Sequence, residues 1–160
     1  MPSDRTRAAL RVEVVDGRGR ARRVPGLARW LVATAPAGAR GQVTVALVSD
    51  ARMRRLNRTY RGVDRVTDVL AFPAGDAGAV VPPGPPALGD VVMAAGVAAR
   101  QARALGHALA TEYRVLALHG LLHLLGHDHE TDRGEMAALE RRLRRKGGLP
   151  AGLTERGRRP

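Results

Sequence analysis

Cysteine is absent from the 160-residue sequence, and its aromatic residues are one tryptophan, two tyrosines and one phenylalanine. Without cysteine the chain has no disulfide and no thiolate metal ligand, which fits a reducing cytoplasm. With so few aromatic residues, modules that stack nucleobases on an aromatic sheet are not expected. The opening Met-Pro-Ser-Asp is not followed by an apolar signal core, and no apolar run approaches the ~20 residues that span a bilayer. We therefore expect a cytoplasmic protein that does not bind a membrane.

Acidic residues and lysine are also scarce relative to arginine. Lysine and arginine together number 27 against 15 acidic residues, which gives a formal net charge of +12. Lys146 is the one lysine of the sequence. This positive excess favours a polyanionic partner such as a nucleic acid. The chain length predicts one domain, residues 1–146. The Gly-, Pro- and Arg-rich residues 147–160 are predicted to form a flexible basic tail.

Four of the five histidines lie within the eleven residues from His119 to His129. His119 and His123 are four residues apart, so on a helix they lie on one face, within reach of one metal ion. Gly126 can adopt a positive φ and end the helix, which brings His129 round as a third ligand. Three histidines with a fourth position for water are typical of a catalytic zinc site. The spacing therefore predicts one Zn²⁺ per chain, bound by His119, His123 and His129.

The residue after the first histidine distinguishes this motif from that of the metzincin proteases, whose spacing it shares. Those enzymes carry a glutamate there as the general base, and this chain has Gly120. Three neutral imidazoles leave the site with the full positive charge of the ion, which suits an anionic substrate. His127 is interpreted as a neighbour of the ligands that faces outward or supports them, and His107 as a structural residue.

Hydrophobic periodicity predicts four strands and about five helices. The longest predicted helix covers about residues 109–125 and is apolar on most faces. We predict an α+β fold in which a small four-stranded mixed sheet packs against the helices, with the metal site at the end of this central buried helix. Asp50 is the predicted N-cap of the second helix, and Asp132 with Glu135 the predicted start of the last one. Residues 74–87 are predicted to be a long flexible connection. The predicted strands are residues 10–15, 43–48, 69–72 and 88–93.

Four blocks of the sequence occur in a characteristic order. They are Leu56-Asn-x-x-Tyr60-Arg61-Gly62-x-Asp64, Thr67-Asp68-Val-Leu, Leu88-Gly89-Asp90 and His119-Gly-x-Leu-His123-Leu-x-Gly126-x-Asp128-His129. Together they resemble the YbeY endoribonucleases over about residues 43–145. The resemblance implies a single-strand-specific, metal-dependent endoribonuclease of the bacterial cytoplasm, with ribosomal RNA and the ribosome as partners. Members of that family act in maturation of the 3′ end of small-subunit ribosomal RNA and in late ribosome quality control.

The resemblance also implies roles for individual residues. The three histidines of the last block would bind the zinc, and Arg61 is the basic residue that the family places in the active-site cleft. Its planar guanidinium would stabilise charge on the phosphoryl oxygens in the transition state. The sequence departs from the family at Val66, Ala71 and His127, where proline, serine and tyrosine are usual.

Three carboxylates near these blocks have two interpretations each. Asp128 either orients a ligand imidazole or caps the turn. Asp68 and Asp90, at strand ends, are either structural or border the cleft. Two other functions also remain: a zinc metallopeptidase, favoured by the histidine spacing and opposed by Gly120, and a non-catalytic ribosome-assembly factor with a structural zinc. The latter is opposed by the number of ligands, since closed structural sites usually have four. The pattern defines no oligomeric state.

Overall fold

A computed structural model describes residues 9–74, 87–128 and 130–150 of the chain. These ranges contain four strands and five helices, which confirms the predicted α+β class. The predicted connection over residues 74–87 lies almost entirely outside the described residues. In chain order the elements are β1 (Leu10–Asp16), α1 (Leu27–Thr34), β2 (Gly41–Val48), α2 (Asp50–Arg61), β3 (Val69–Pro73), β4 (Ala87–Ala94), α3 (Ala95–Leu105), α4 (Leu109–Leu124) and α5 (Glu135–Lys146).

The four strands form one mixed sheet in the order β1-β2-β4-β3. β2 is parallel to both of its neighbours, and Val45 pairs with Val14 on one side and Val91 on the other. β3 is antiparallel to β4 and lies at the edge of the sheet. The predicted small four-stranded mixed sheet is therefore confirmed. Its strand order could not be read from the chain, because parallel neighbours are joined by crossovers.

Each face of the sheet carries its own apolar cluster. Val91 and Met93 of β4 belong to the larger cluster, together with the leucines of α4 and α1. Val92 and Ala94 belong to a smaller cluster with Met53 of α2. Because side chains alternate along a strand, the two clusters lie on opposite faces. Helix α4 therefore lies on one face of the sheet and α2 on the other.

Helix α4 is the central element of the larger cluster. Ten of its sixteen residues are buried, on most sides of the helix. A helix that is apolar nearly all round must be enclosed by other elements, and α4 contacts β3, β4 and three of the other helices. No helix in the described ranges is long and apolar enough to span a bilayer. Because apolar residues enclose most of α4, its packing determines where the polar side chains of its last turns, His119 and His123, can point.

Two predicted helix starts differ from the observed ones. Ser49, not Asp50, is the N-cap of α2, since its hydroxyl accepts the N–H of Arg52 at 3.2 Å. Asp50 is already in the first turn, where it accepts the Val97 N–H at 3.1 Å and pairs with Arg100 at 2.9 Å. The carboxylate is therefore used to join α2 to α3, a contact between residues distant in sequence. At the other end of the chain α5 begins at Glu135 rather than at Asp132, whose carboxylate accepts the Met136 N–H at 2.8 Å.

The first residues of the predicted basic tail contact the domain. The indole N–H of Trp30 donates to the Gly147 carbonyl at 2.8 Å, and Leu149 is buried. Gly147 also lies so close to the Trp30 ring that an added Cβ would be 2.7 Å from it. The rest of the predicted tail, residues 151–160, lies outside the described residues.

Candidate functional site

Two of the predicted metal ligands lie side by side in the last two turns of α4. The Nε2 atoms of His119 and His123 are 3.1 Å apart, and the two rings meet edge to face with their centroids 4.7 Å apart. Both side chains are half-buried between the helix and the cleft. Their four-residue spacing on one helical face explains why both ring nitrogens point to the same place.

Glu140 of α5 fixes the orientation of the first imidazole. Its Oε1 lies 2.6 Å from His119 Nδ1, and its Oε2 accepts a hydrogen bond from Arg144 at 3.0 Å. Burial raises the pKa of Glu140, but the hydrogen bond from His119 and the positive charges around it, including Arg144, outweigh burial and hold the pKa below its usual value. An ionised carboxylate at this distance favours the tautomer of a neutral imidazole that carries its proton on Nδ1, and in that tautomer Nε2 has a free lone pair.

Glu140 lies outside the sequence motifs that predict the metal site. A signal was present, because Glu140 follows Met136 by four residues and precedes Leu143 by three, and so lies on the apolar stripe of α5. Only 7% of Glu140 is exposed. A carboxylate at such a position needs a polar partner, since a buried charge is stable only when it is paired.

The turn after α4 has the conformation that the glycine predicts. Gly126 has φ +97°, its N–H bonds to the His123 carbonyl, and the His127 N–H bonds to the Leu122 carbonyl, both at 3.0 Å. This is the Schellman pattern, in which a left-handed glycine closes a helix and reverses the chain. Asp128 follows, and its Oδ1 accepts the Glu130 N–H at 2.9 Å, as expected of a turn-capping residue. His127 lines the cleft.

The donor set fits a zinc ion as far as it is described. Two nitrogens bound to one tetrahedral Zn²⁺ at about 2.0–2.1 Å lie about 3.3 Å apart, close to the 3.1 Å between the two Nε2 atoms. His129, the third predicted ligand, lies outside the described residues. Within the described ranges no three histidine or acidic side chains converge as a complete metal site. The pair of histidines could therefore hold a metal ion with two nitrogens, and the assignment of all three ligands, His129 included, stays a prediction.

A cleft of about 830 Å³ lies beside these histidines. It follows edge strand β3 from the last turns of α4 to the segment that comes after α2. Arg61, Arg65 and Asp68 line it together with His119 and His123. Elements far apart in sequence thus bring the predicted arginine and two of the predicted metal ligands, His119 and His123, into one cavity.

Arg61 is the last residue of α2, and its surroundings leave its charge available. Gly62 ends the helix with φ +70°, and the buried Asn57 donates to the Arg65 carbonyl at 2.9 Å, which holds the following loop against the helix. In that loop Asp64 pairs with Arg54 at 2.9 Å, and this hydrogen bond lowers the pKa of Asp64. Among the described residues, no carboxylate forms an ion pair with Arg61. Its guanidinium can therefore bind an anion in the cleft.

Asp68 borders the cleft and is anchored from inside the protein. Its Oδ1 accepts the Val69 N–H at 2.9 Å, and its Oδ2 accepts from the Gln101 amide at 3.3 Å. The same amide nitrogen donates to Glu112 at 2.9 Å, and the other oxygen of Glu112 lies 2.7 Å from His107 Nε2. Glu112 is fully buried. His107 thus has a partner that its sequence context did not suggest, inside a polar chain that ends at the cleft.

Asp90 has a different position. It lies in β4 between Thr44 of β2 and Phe72 of β3, and it is outside the set of described residues that line the cleft. Partial burial raises the pKa of its carboxyl above the usual value. Of the two strand-end carboxylates predicted as candidates, Asp68 therefore faces the cleft and Asp90 does not.

Gly120 faces the sheet. A Cβ built on this residue would lie 2.5 Å from Cγ1 and 3.0 Å from Cγ2 of Val91, in the middle of β4. Real Cβ atoms do not approach side chains so closely, so α4 can pack on the sheet at this distance only with glycine here. A glutamate at this position would point into the sheet, and the protease-like general base has no room.

Comparisons with known proteins agree with this arrangement. The family model described as endoribonuclease YbeY matches residues 26–147. A protein of that name from Solibacter usitatus is 53% identical over 110 residues, which cover 69% of each chain. One from Koribacter versatilis is 48% identical over 127 residues, 78% of this chain and 76% of the relative. The solution structure of a Thermotoga maritima protein has the same fold, with a TM-score of 0.52 and 23% identity over 92% of this chain and 99% of the other. The chain thus belongs to the endoribonuclease YbeY family.

Proposed function

We propose that the protein is a metal-dependent endoribonuclease that cleaves single-stranded RNA, with one Zn²⁺ bound by His119, His123 and His129. The observation that carries this proposal is the pair of histidine Nε2 atoms, 3.1 Å apart, in a cleft that Arg61 also lines. In phosphodiester cleavage a Lewis acid can polarise a phosphoryl oxygen, and a cation can stabilise the charge that develops on the oxygens. Relatives that share about half of their aligned residues with this chain carry the name endoribonuclease.

Each residue of the site has a definite task in this proposal. Zinc, when bound, supplies Lewis acidity and lowers the pKa of a bound water to about 7. Glu140 holds the proton of His119 on Nδ1 and so directs Nε2 into the site. Arg61 binds the non-bridging phosphoryl oxygens with its fork of N–H donors. Because the ligand imidazoles are neutral, the site keeps a net positive charge and selects an anionic substrate.

We extend the proposal to the cellular substrate that the family resemblance implies. The protein would act in the bacterial cytoplasm on ribosomal RNA, in maturation of the 3′ end of the small-subunit RNA and in late ribosome quality control. The net charge of +12 supports a polyanionic partner of this kind. A ribosome presents single-stranded RNA ends and loops, which a cleft open along one strand edge can accept.

The purified protein tests the proposal directly. We expect it to cut a single-stranded RNA oligonucleotide, to spare the same sequence in a duplex, and to lose cleavage when a chelator removes the metal. Zinc is to be quantified in the same sample, and the ends of the product are to be identified. A cyclic phosphate would indicate attack by the ribose 2′-hydroxyl, and other ends would indicate attack by water.

Cleavage of casein instead of RNA would contradict the proposal and favour a peptidase. Unfolding on metal removal, without any RNA cleavage, would favour a structural zinc.

Glu140→Gln tests how His119 is oriented. The neutral amide no longer holds the Nδ1 proton by charge, so we expect zinc affinity to fall by about 10- to 100-fold. Competition with a chromogenic chelator measures this affinity. Glu135→Gln, at the exposed start of the same helix, is the matched control and should bind zinc as the unsubstituted protein does. Because Glu140 also pairs with the buried Arg144, thermal unfolding is recorded for both variants. Unchanged zinc affinity in a folded Glu140→Gln protein would show that the carboxylate has no part in the site.

A further inference from the structure

Tyr60 is the most exposed large apolar side chain among the described residues. Its exposed fraction is 66%, and it lies in the last turn of α2, immediately before Arg61. The ring lines the same cleft as Arg61, His119 and His123. The other described aromatic residues are used in packing: Tyr113 is buried, and Trp30 contacts Gly147. An exposed aromatic ring is therefore an exception in this chain.

This ring is supported on one side by another aromatic side chain. The Tyr60 and Phe72 rings are 5.1 Å apart with an interplanar angle of 71°, the edge-to-face arrangement that aromatic pairs prefer. Phe72 itself is half-buried and packs on the cluster beneath α2. A ring that is braced in this way loses little conformational entropy when a ligand stacks on it. The exposed face of Tyr60 is thus pre-organised for a stacking ligand.

We propose that Tyr60 stacks on an unpaired nucleobase of the RNA that occupies the cleft. This inference rests on the proposed nuclease function and names the recognition element for its substrate. The neighbouring Arg61 binds a phosphate, so backbone and base of one strand meet two adjacent residues of α2. Every nucleobase has a flat apolar face, so stacking on one ring requires no particular sequence.

This contact gives a physical basis for selecting single strands. In a duplex each base is stacked between its neighbours and paired, so its face is not available to a protein ring. A single strand can turn one base out at small cost. Arg65 also lines the cleft near this end and adds positive charge, which favours a nucleic acid over a peptide as the occupant. The selection then lies in the chain's own side chains and is independent of the metal.

Steady-state cleavage of a single-stranded oligonucleotide by three variants measures the contribution of the ring. Tyr60→Leu keeps an apolar side chain but removes the aromatic face, and we expect its KM to rise about 10- to 100-fold with kcat changed far less. Tyr60→Phe keeps the face and should stay within about twofold of the original KM. Leu105→Ala, exposed on α3 outside the cleft, controls for loss of a surface apolar group and should leave KM unchanged.

Abasic substrates locate the stacked base. We expect one abasic position near the cut to raise KM for the original protein, and to have little further effect in Tyr60→Leu, because both changes remove the same contact. Independent, additive losses would overturn the proposal. So would a Tyr60→Leu protein with an unchanged KM on isolated RNA, which would leave the ring to a protein partner. If the original protein cuts no RNA, the nuclease proposal itself fails. If it cuts RNA while Tyr60→Leu matches it, only the stacking proposal fails.

Discussion

His123→Ala is expected to release the zinc and to lower RNA cleavage by about a thousandfold or more. In the proposed site His123 would share the metal with His119, whose Nε2 lies 3.1 Å away, so removal of one ring would leave too few ligands in the last turns of α4. Elemental analysis gives the metal content, and single-turnover cleavage gives the rate. His127→Ala is the matched control, since His127 lies in the next turn but is not a predicted ligand. It should retain one equivalent of zinc.

Arg61→Ala completes this test, because it separates chemistry from metal binding. We expect zinc content to stay at one equivalent while kcat falls by about 10²- to 10³-fold, the usual loss when a donor to a developing anion is removed. Arg55→Ala, on the same helix and outside the cleft-lining set, should cleave RNA at the original rate. A fully active, folded His123→Ala or Arg61→Ala protein would refute the assignment of that residue.

Local signals explain what the sequence could predict. The four-residue spacing of His119 and His123 and the helix-ending Gly126 act within about two turns, and the structure brings the two rings together as that spacing requires. The alternation in β1 and the apolar run of α4 are equally local, so the elements were predicted with nearly correct bounds. Arg61 could be placed in a cleft only through the family resemblance, because an arginine among many has no pattern of its own.

Contacts between distant residues explain what the sequence could not predict. Glu140 reaches His119 across 21 residues, and Gln101 reaches Asp68 across 33. No periodicity links such residues, since their meeting depends on how α5 and α3 pack around α4. The same reason accounts for Asp50, whose side chain serves a contact with α3 instead of its own helix start. Of these contacts, the one made by Glu140 leaves a trace in the sequence, because its carboxylate lies on an apolar stripe.

Gly120 has a packing role that the histidine motif alone does not reveal. From the histidine motif alone, it is notable as the position from which a catalytic glutamate is missing. In the fold it is the point of closest approach between α4 and the sheet, where Val91 fills the space of a side chain. The tight packing leaves no room for a glutamate at this position. The close packing of α4 on β4 sets the position of His119 and His123 relative to the sheet.

Gly120→Ala is therefore expected to lower the free energy of unfolding by about 1–3 kcal/mol, because the added methyl overpacks the contact with Val91. The helix propensity of alanine, about 1 kcal/mol better than that of glycine, offsets part of this loss. Urea denaturation measures the change. Val91→Ala removes both Cγ atoms that the new methyl would meet, so the double variant Gly120→Ala/Val91→Ala should be more stable than the sum of the single changes predicts.

Gly120→Glu should lower the free energy of unfolding far more than Gly120→Ala and should gain no peptidase activity, since its carboxylate would enter the apolar interior. Additive effects of the two alanine substitutions, or a stable Gly120→Glu protein that cleaves casein, would contradict the close packing of α4 on β4.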